Sequence, residues 1–338
     1  MSKLDWAKIL GDLGNHLVLG GERLDAAIKY ASMKNPWFTQ ENIRHALDAI
    51  INQFLDEEKL RLWLAKYECS GPRITRRIGA VLAGNIPMVG AHDIICILAA
   101  GHRAVIKLSE KDKVLLPFIF GELKYTAPSL QIPITWVENL AEIDAVVATG
   151  SNQSAVYFKK YFSRYPHIIR KNRSAVAILI GKESEDQLIA LGNDVFSYFG
   201  LGCRNVSKLY VPLDYDFKQL LQAFRLYENK MRHQKYKNNV DFNLATIIIN
   251  RKPHFGTESA VLIEDDNIAS RIGITHYAYY KDLASLSETL SAHNDQIQCI
   301  VGNNELPEHD LIPFGSTQKP ELNQYADGVD TMEFLLNL

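Results

Sequence analysis

The chain has 338 residues, of which 47% are hydrophobic, and a formal net charge of −2. A chain of this length can bury a substantial core and is long enough for two domains. The nearly balanced charge argues against a protein built to neutralise nucleic-acid phosphates. No apolar run approaches the roughly 20 residues of a membrane span, and the N-terminal segment lacks the apolar core of a signal peptide. We therefore expect a cytoplasmic protein with no nucleic-acid partner.

The predicted elements begin with helices over the first 65 or so residues. Thr39 is a candidate N-cap, and apolar residues recur at helical spacing from Ile43 to Phe54. From Ile78 onward, short apolar strands alternate with helical segments, one of which is a single predicted helix over residues 111–125. Strands nearly continuous in apolar residues and separated by helices predict a parallel sheet that is covered on both faces.

A second α/β series begins near Ser174 with the strand SAVAILIG, the helix EDQLIALGNDVFSYFG and the strand SKLYVP. A predicted helix over residues 216–233 follows, and then the apolar runs LATIIIN, AVLIE, THYAYY and IQCIVG. Two such series in sequence predict two α/β domains.

The cysteines are widely scattered and include no CxxC pair: Cys69, Cys96, Cys203 and Cys299. This spacing is typical neither of a zinc ribbon nor of a disulfide-rich scaffold, and we expect no metal site. Cys96 and Cys299 lie inside apolar runs, which indicates inert core residues, whereas the segment ECSGP around Cys69 is typical of a surface.

Cys203 lies in the segment FGLGCRNVSK, after a predicted helix and before a predicted strand. Gly200 and Gly202 allow unusual backbone conformations and the close approach of a substrate. Arg204 would favour the reactive thiolate if its side chain points toward the sulfur. Because a lone cysteine is more often structural than catalytic, the local context leaves both interpretations open.

Polar groups also follow three predicted strands. The Asn85 amide could donate to a developing oxyanion, although asparagine beside Gly and Pro is more often a turn residue. Lys107 and Glu110 could reach a nucleotide ribose or form an ordinary solvated loop. Gly150 and Ser151 open a helix, where backbone N–H groups can bind a phosphate. The glycine-rich dinucleotide fingerprint and the phosphate-loop ending are absent, so each local signal is weak.

The order and spacing of these segments are more specific than any one of them. The segments LAGNIPMVG, AAGHRAVIKLSEKD, VATGSNQS, KNRSAVAILI and FGLGCRNVSKLYVP resemble, in this order, the aldehyde dehydrogenase superfamily. Within it the chain is most similar to the bacterial acyl-CoA reductases related to the fatty acid reductase of bioluminescence. The similarity runs from about Ile78 to Pro212, and IPFGSTQKPELNQYADGVD resembles the superfamily's late glycine-containing loop.

The resemblance implies an aldehyde-dehydrogenase-like α/β fold with a Rossmann-like cofactor domain, a catalytic domain and an N-terminal helical region. Residues 1–170 would form the N-terminal helices and the nicotinamide-cofactor-binding domain, completed by about 313–338. Residues 171–312 would form the catalytic domain that carries Cys203.

The resemblance also implies roles for individual residues. Cys203 matches the catalytic nucleophile, and Asn85 matches the asparagine whose amide joins the cysteine's backbone N–H in an oxyanion hole. The implied cofactor-binding residues are Lys107, Ser109, Glu110, Gly150 and Ser151.

The implied reaction is the reduction of a fatty acyl-CoA, or another acyl thioester, to an aldehyde through an acyl-cysteine. NADPH is the cofactor implied by the family, with NADH as the alternative, because Glu110 on a ribose hydroxyl would repel a 2′-phosphate. An acyl-activating partner protein and a homo-oligomer are further expectations.

Two departures from the superfamily keep alternatives open. His167 stands near the position of the glutamate with which aldehyde-oxidising members activate water, and no obvious carboxylate replaces it. Ala155 and Tyr157 stand in the region of the second glycine after Gly150. The alternatives are an NAD(P)-dependent aldehyde dehydrogenase, a cofactor-independent acyltransferase that uses the same cysteine, and a non-catalytic partner-binding subunit.

Overall fold

The computed structural model describes residues 3–67, 74–303 and 306–338, so the prediction for Cys69 lies outside the described residues. The predicted α/β class, with parallel sheets and an N-terminal helical region, is confirmed. By its internal contacts the chain divides into two compact units. Unit 1 comprises residues 1–172 and 319–338, and unit 2 comprises residues 173–318. None of the described helices is long and apolar enough to cross a membrane.

Unit 1 starts with helices, as the sequence predicts. They are α1 (Lys3–Leu19), α2 (Glu22–Lys34), α3 (Gln40–Phe54) and α4 (Glu57–Ala65). Thr39 is the N-cap of α3, because its side chain accepts the Asn42 N–H at 3.1 Å. This bond satisfies one of the N–H groups that a helix leaves without an internal partner.

A parallel α/β series completes the first part of unit 1. Its elements are β1 (Arg77–Val81), α5 (Ala91–Ala99), β2 (Arg103–Lys107), α6 (Leu115–Gly121), α7 (Leu123–Thr126), β3 (Ile134–Trp136), β4 (Ala145–Thr149), α8 (Asn152–Tyr161) and β5 (His167–Arg170). The strands form a parallel sheet in the order β3-β2-β1-β4-β5. The single helix predicted over 111–125 is wrong, since two helices occupy this stretch and the first begins only at Leu115.

Unit 2 is a second α/β series. Its elements are β6 (Ser174–Ile178), α9 (Glu185–Phe196), β7 (Val206–Pro212), α10 (Lys218–Arg225), α11 (Gln234–Ile249), β8 (His254–Gly256), β9 (Val261–Glu264), β10 (Ile274–Tyr280), α12 (Leu283–Ala292), β11 (Ile297–Val301) and β12 (Leu311–Ile312). The sheet order is β12-β11-β6-β7-β10-β9-β8, and only the β8–β9 pairing is antiparallel.

Unit 2 departs from the predicted elements in three places. The helix predicted to reach Gly200 ends at Phe196 and is followed by a turn over Ser197–Gly200 in which Tyr198 and Phe199 have non-helical backbones. The helix predicted over 216–233 is α10 followed by a 3-10 helix over Glu228–Arg232. The apolar run at 244–250 is the end of α11, whereas the other three apolar runs are strands.

The C-terminal segment returns to unit 1 and ends in α13 (Thr331–Leu336). Arg170, at the end of β5, bonds both carboxylate oxygens of Asp93 in α5 at 2.8 Å and the Thr331 hydroxyl at 2.7 Å. All three side chains are buried. This ion pair therefore joins a strand, a helix and the C-terminal segment in the core of unit 1.

Candidate active site

The strand order of unit 1 reverses at β1. The chain steps from β1 to β2 and β3 on one side, and then continues with β4 and β5 on the other side. Val81, the last residue of β1, is in register with Lys107 of β2 and Ala148 of β4. Ligands of open parallel sheets bind beyond the carboxyl ends of the strands at such a reversal. The topology therefore makes this edge of the sheet the candidate ligand site of unit 1.

The structure brings most of the predicted unit 1 residues to this edge: Asn85, Lys107, Ser109, Glu110, Gly150 and Ser151. A Cβ on Gly84 would lie 2.6 Å from the Cβ and Oγ of Ser109, so the segments after β1 and β2 pack directly on each other. The Lys107 ammonium donates to the main-chain carbonyl of Glu138. Glu110 is exposed and lies 2.7 Å from the Lys113 ammonium.

A buried carboxylate fixes the loop that carries Asn85. Asp112 is 4% exposed and accepts the Met88 N–H at 2.8 Å. Met88 has a left-handed backbone with φ 56°, an uncommon conformation for a residue with a side chain. Burial raises the pKa of Asp112. The half-buried Asn85 thus belongs to a loop whose shape is set by a side chain from the segment after β2.

The turn between β4 and α8 is tight and requires glycine. A Cβ on Gly150 would lie 2.8 Å from Cε2 of Phe158 and 2.9 Å from Cβ of Ser154. Ser151 is the N-cap of α8, because its hydroxyl accepts the Ser154 N–H at 3.1 Å. Ala155, in the region of the missing second glycine, is buried. The turn offers backbone N–H groups at a helix N-terminus, as the resemblance implies for a phosphate contact.

His167 lies at the amino ends of the strands, opposite the carboxyl ends where the predicted cofactor residues lie. It is the exposed first residue of β5, and its Nδ1 bonds the Tyr165 carbonyl at 2.8 Å. The strand places its amino end about 10 Å from the carboxyl edge. No aspartate or glutamate occurs between Asp144 and Glu183. The structure therefore separates His167 from the predicted cofactor residues, and this segment contains no carboxylate base.

Cys203 lies just before β7 in unit 2, three residues after a strained turn. Tyr198 has φ 49° and Phe199 has φ 59°, both in the left-handed region, and Gly200 follows with φ 75°. A left-handed backbone costs a residue with a side chain roughly 1–3 kcal/mol and occurs most often at functional sites. The half-buried Cys203 follows this turn by three residues. The sequence predicted a helix through Gly200 and therefore did not predict this turn.

Asn205 holds the turn in place. Its side chain is buried, and its Oδ1 accepts the Gly202 N–H at 2.8 Å. Its Nδ2 donates to the carbonyls of Asp194 at 3.0 Å and Ser197 at 2.8 Å. The sequence analysis missed this residue. A detectable signal was an amide side chain placed directly between a candidate nucleophile and an apolar strand.

The remaining described cysteines differ from Cys203. Cys96 is fully buried, and burial raises the pKa of its thiol well above the ordinary value. Burial also raises the pKa of Cys299 in β11 to about 12, although a hydrogen bond with Arg204 opposes the shift. Both therefore remain thiols near neutral pH. Among the described residues, no group of three or more His, Cys, Asp or Glu side chains could hold a metal ion.

Comparison with known proteins gives matches among solved structures. No protein-family model matches the chain, and no curated protein matches its sequence. An aldehyde dehydrogenase from Bacillus cereus in complex with NAD+ superposes with a TM-score of 0.64 at 13% identity, over 86% of this chain and 69% of that chain. Aldehyde dehydrogenase 21 from Physcomitrella patens, in complex with the product succinate, superposes with a TM-score of 0.71 at 12% identity, over 100% of this chain and 84% of that chain.

A betaine aldehyde dehydrogenase double mutant from Staphylococcus aureus, in complex with NAD+, superposes with a TM-score of 0.65 at 13% identity, over 91% of this chain and 73% of that chain. At such low identity a structural match establishes the fold, and functional residues must be argued from the site itself. The predicted fold is confirmed: this chain has the fold of the aldehyde dehydrogenases.

Proposed function

We propose that this protein is an NAD(P)-dependent enzyme that takes an acyl group from a thioester onto Cys203 and reduces it to an aldehyde. One observation carries the proposal. In an aldehyde-dehydrogenase fold, Cys203 directly follows a strained segment whose backbone is fixed on both sides by a buried amide. Strain maintained in this way is typical of a functional site, and a thiolate is the strongest nucleophile among ordinary side chains.

The carboxyl edge of unit 1 fits a nicotinamide dinucleotide. The strand order reverses there, Ser151 starts a helix, and Lys107 supplies a cationic group at the end of β2. We propose NADPH as the cofactor, with NADH as the alternative. The ion pair of Glu110 with Lys113 supports NADPH, because it offsets the negative charge that would repel a 2′-phosphate. When bound, the cofactor supplies the hydride.

The chain's own residues would carry the rest of the reaction. The Cys203 thiolate attacks the thioester carbonyl, and the Asn85 amide together with the Cys203 N–H stabilises the oxyanion. The bond between the carbonyl carbon and the sulfur of CoA then breaks, and CoA leaves as a thiol after taking up a proton. With the cofactor bound, hydride added to the acyl carbon would leave a thiohemiacetal oxyanion on Cys203, and breaking its carbon–sulfur bond would release the aldehyde and restore the Cys203 thiolate.

The lack of an aspartate or glutamate between Asp144 and Glu183, where the resemblance places the base of aldehyde-oxidising members, supports reduction over hydrolysis. An aldehyde dehydrogenase that forms an acid must activate water against the acyl-cysteine. The stretch between Asp144 and Glu183 contains no aspartate or glutamate, and His167 lies at the edge of the sheet opposite the cofactor residues. Oxidation of an aldehyde to an acid is the second candidate, because the structural neighbours are aldehyde dehydrogenases.

Intact-mass and peptide mass spectrometry after a single turnover test the proposal. The protein is mixed with a fatty acyl-CoA and the site of the adduct is mapped, with Cys203→Ala as the control. We expect one acyl adduct on Cys203 in the wild type and none in the variant. A wild-type protein that acquires no adduct from any acyl-CoA would exclude the covalent mechanism. Parallel incubation with an aldehyde and NAD+ detects the second candidate as free acid.

The assembly is proposed to be a homo-oligomer that can receive its acyl group from an acyl-activating partner protein. Exposed apolar side chains on α8 support an association surface, since Val156, Tyr157 and Tyr161 are 66–69% exposed. Light scattering after size exclusion tests this directly. A strictly monomeric protein at micromolar concentration would contradict the homo-oligomer.

A further inference from the structure

Two fully buried polar side chains lie beside the segment from Ser197 to Cys203, called the Cys203 turn below. Neither takes part in the proposed chemistry. Asp194 is 0% exposed and lies in the last turn of α9. Asn205 is 2% exposed and lies two residues after Cys203. A buried polar group costs free energy unless its hydrogen bonds are made. The partners of these two side chains therefore show what they stabilise.

The Asn205 amide closes the turn on itself. Its oxygen accepts from Gly202 N, immediately before the nucleophile, and its nitrogen donates to two carbonyls at the end of α9. The Gly202 N–H needs the amide oxygen as its acceptor and the two carbonyls need the amide N–H groups as donors, so the orientation of the amide is fixed by its partners. One side chain thus links both ends of the strained segment.

Asp194 extends the link to a second segment of unit 2. Its carboxylate accepts the Gly315 N–H at 2.6 Å, the Thr317 N–H at 3.1 Å and the Thr317 hydroxyl at 2.8 Å. Gly315 has φ 81°, and a Cβ there would lie 3.0 Å from Cβ of Ala190 in α9. The 315–317 segment therefore lies directly on the helix that precedes Cys203, and unit 2 ends at Gln318 just beyond it.

We propose that Asn205 and Asp194 are positioning residues for Cys203, which hold the Gly202–Cys203 backbone in register with the 315–317 segment. This inference rests on the proposed nucleophilic role of Cys203. The Gly202–Cys203 peptide carries the N–H assigned to the oxyanion and sets the direction of the sulfur. A displacement of about 1 Å at a reacting group can cost on the order of 100-fold in rate.

The test compares Asn205→Asp with Asn243→Asp. The first variant keeps the acceptor for Gly202 N–H but loses both donors. Asn243 is a matched control, because it is also buried in unit 2 and donates to a backbone carbonyl, that of Ile272 at 2.9 Å. Three quantities are measured: Tm, the rate of Cys203 acylation by a fatty acyl-CoA, and the pH profile of Cys203 alkylation by iodoacetamide.

We expect Asn205→Asp to slow acylation about 10- to 100-fold and to shift the alkylation pH profile, while Asn243→Asp lowers Tm without either change. Equal Tm losses with unchanged acylation and alkylation in both variants would overturn the inference. If Asn205→Asp does not fold, Thr317→Val serves as the milder variant, since it removes one of the three donors to Asp194. It should slow acylation a few-fold, and an unchanged rate would again overturn the inference.

Different results would exclude the proposed reaction at Cys203 and the proposed positioning role of Asn205. A wild-type protein that alkylates at Cys203 but never acylates would exclude the proposed reaction. The alkylation profile of Asn205→Asp would still report whether the amide positions the sulfur. Conversely, normal acylation and alkylation in a folded Asn205→Asp protein would leave the reaction intact and exclude the positioning role.

Discussion

The candidate residues of unit 1 lie at the carboxyl ends of parallel strands, whereas those of unit 2 lie in the Cys203 turn. The two regions differ in what holds their backbones in place. At the first, Lys107 ends a regular strand, and Gly150 follows the end of another. At the second, Cys203 precedes a strand, and the segment just before it is held by hydrogen bonds of the Asn205 side chain to Gly202 and Ser197. Strand ends place Lys107 and Gly150 mainly through backbone geometry, whereas the segment before Cys203, the proposed nucleophile, is fixed by the buried Asn205 amide.

The difference has an energetic side. The hydrogen bonds of a sheet are spread along all of its paired strands. One substitution at a strand end therefore removes little of the stabilisation that they supply. The Cys203 turn includes two left-handed residues that each cost roughly 1–3 kcal/mol, and a few identified bonds keep it in place. We therefore expect substitutions in the turn to affect chemistry strongly and substitutions at the unit 1 edge to affect cofactor affinity more than chemistry.

The largest effect is expected from Cys203→Ala. Loss of the nucleophile should reduce turnover on the order of 10⁴-fold or more, with cofactor affinity unchanged. Turnover is followed by NADPH absorbance and affinity by fluorescence titration. Cys299→Ala is the matched control and should retain most activity, because the raised pKa of this partly buried thiol keeps it protonated near neutral pH. If Cys299→Ala loses as much activity as Cys203→Ala, the assignment of the nucleophile is wrong.

Asn85→Ala should come second, with a loss of about 10²- to 10³-fold in acylation rate, typical of a missing oxyanion donor. Asn85 belongs to unit 1, yet the proposed mechanism assigns its amide to the oxyanion rather than to cofactor binding, so it is the exception to this division. Stopped-flow acylation is the measurement, and NADPH affinity should change less than threefold. Asn85→Asp is a sharper control, since the aspartate side chain has the size of asparagine but lacks the N–H donor for the oxyanion. An acylation rate within threefold of wild type in both variants would remove Asn85 from the mechanism.

Gly150→Ala should weaken NADPH binding about tenfold and leave the acylation rate unchanged. The added Cβ would lie 2.8 Å from Phe158 Cε2 and 2.9 Å from Ser154 Cβ, so the turn or α8 must move. Gly121→Ala in α6 is the control, because a Cβ there meets nothing within 4 Å. Titration calorimetry with NADPH measures the effect. Identical affinities in the two variants would mean that this turn does not bind the cofactor.

The smallest effect concerns the pH dependence of labelling. Burial raises the pKa of Cys299 to about 12, so its thiolate fraction at pH 8 is about 10⁻⁴ and grows tenfold with each pH unit up to that value. Iodoacetamide should therefore label Cys203 well before Cys299 in the folded protein at pH 8, as measured by peptide mass spectrometry. After denaturation the two cysteines should react at similar rates. Preferential labelling of Cys299 in the folded state would contradict this account.

The sequence predicted the features that depend on local pattern. The alternation of apolar strands and helices from Ile78 predicted parallel sheets, and strand ends predicted where Lys107 and Gly150 lie. The turn at 197–200 was not predictable from pattern, since its residues continue a helical apolar spacing, whereas Tyr198 and Phe199 have left-handed backbones and the Ser197 carbonyl accepts from Asn205. The short strand β5 was missed because Arg170 at its end looks polar, although Asp93 pairs with it in the core.

The most direct test of the central claim follows the fate of a preformed acyl-enzyme. The protein is acylated at Cys203 with a fatty acyl-CoA, separated from free CoA, and mixed with NADPH. We predict that the adduct disappears and that one equivalent of aldehyde is released without free fatty acid. An adduct that persists in the presence of NADPH and NADH, or that leaves only as fatty acid, would contradict the account.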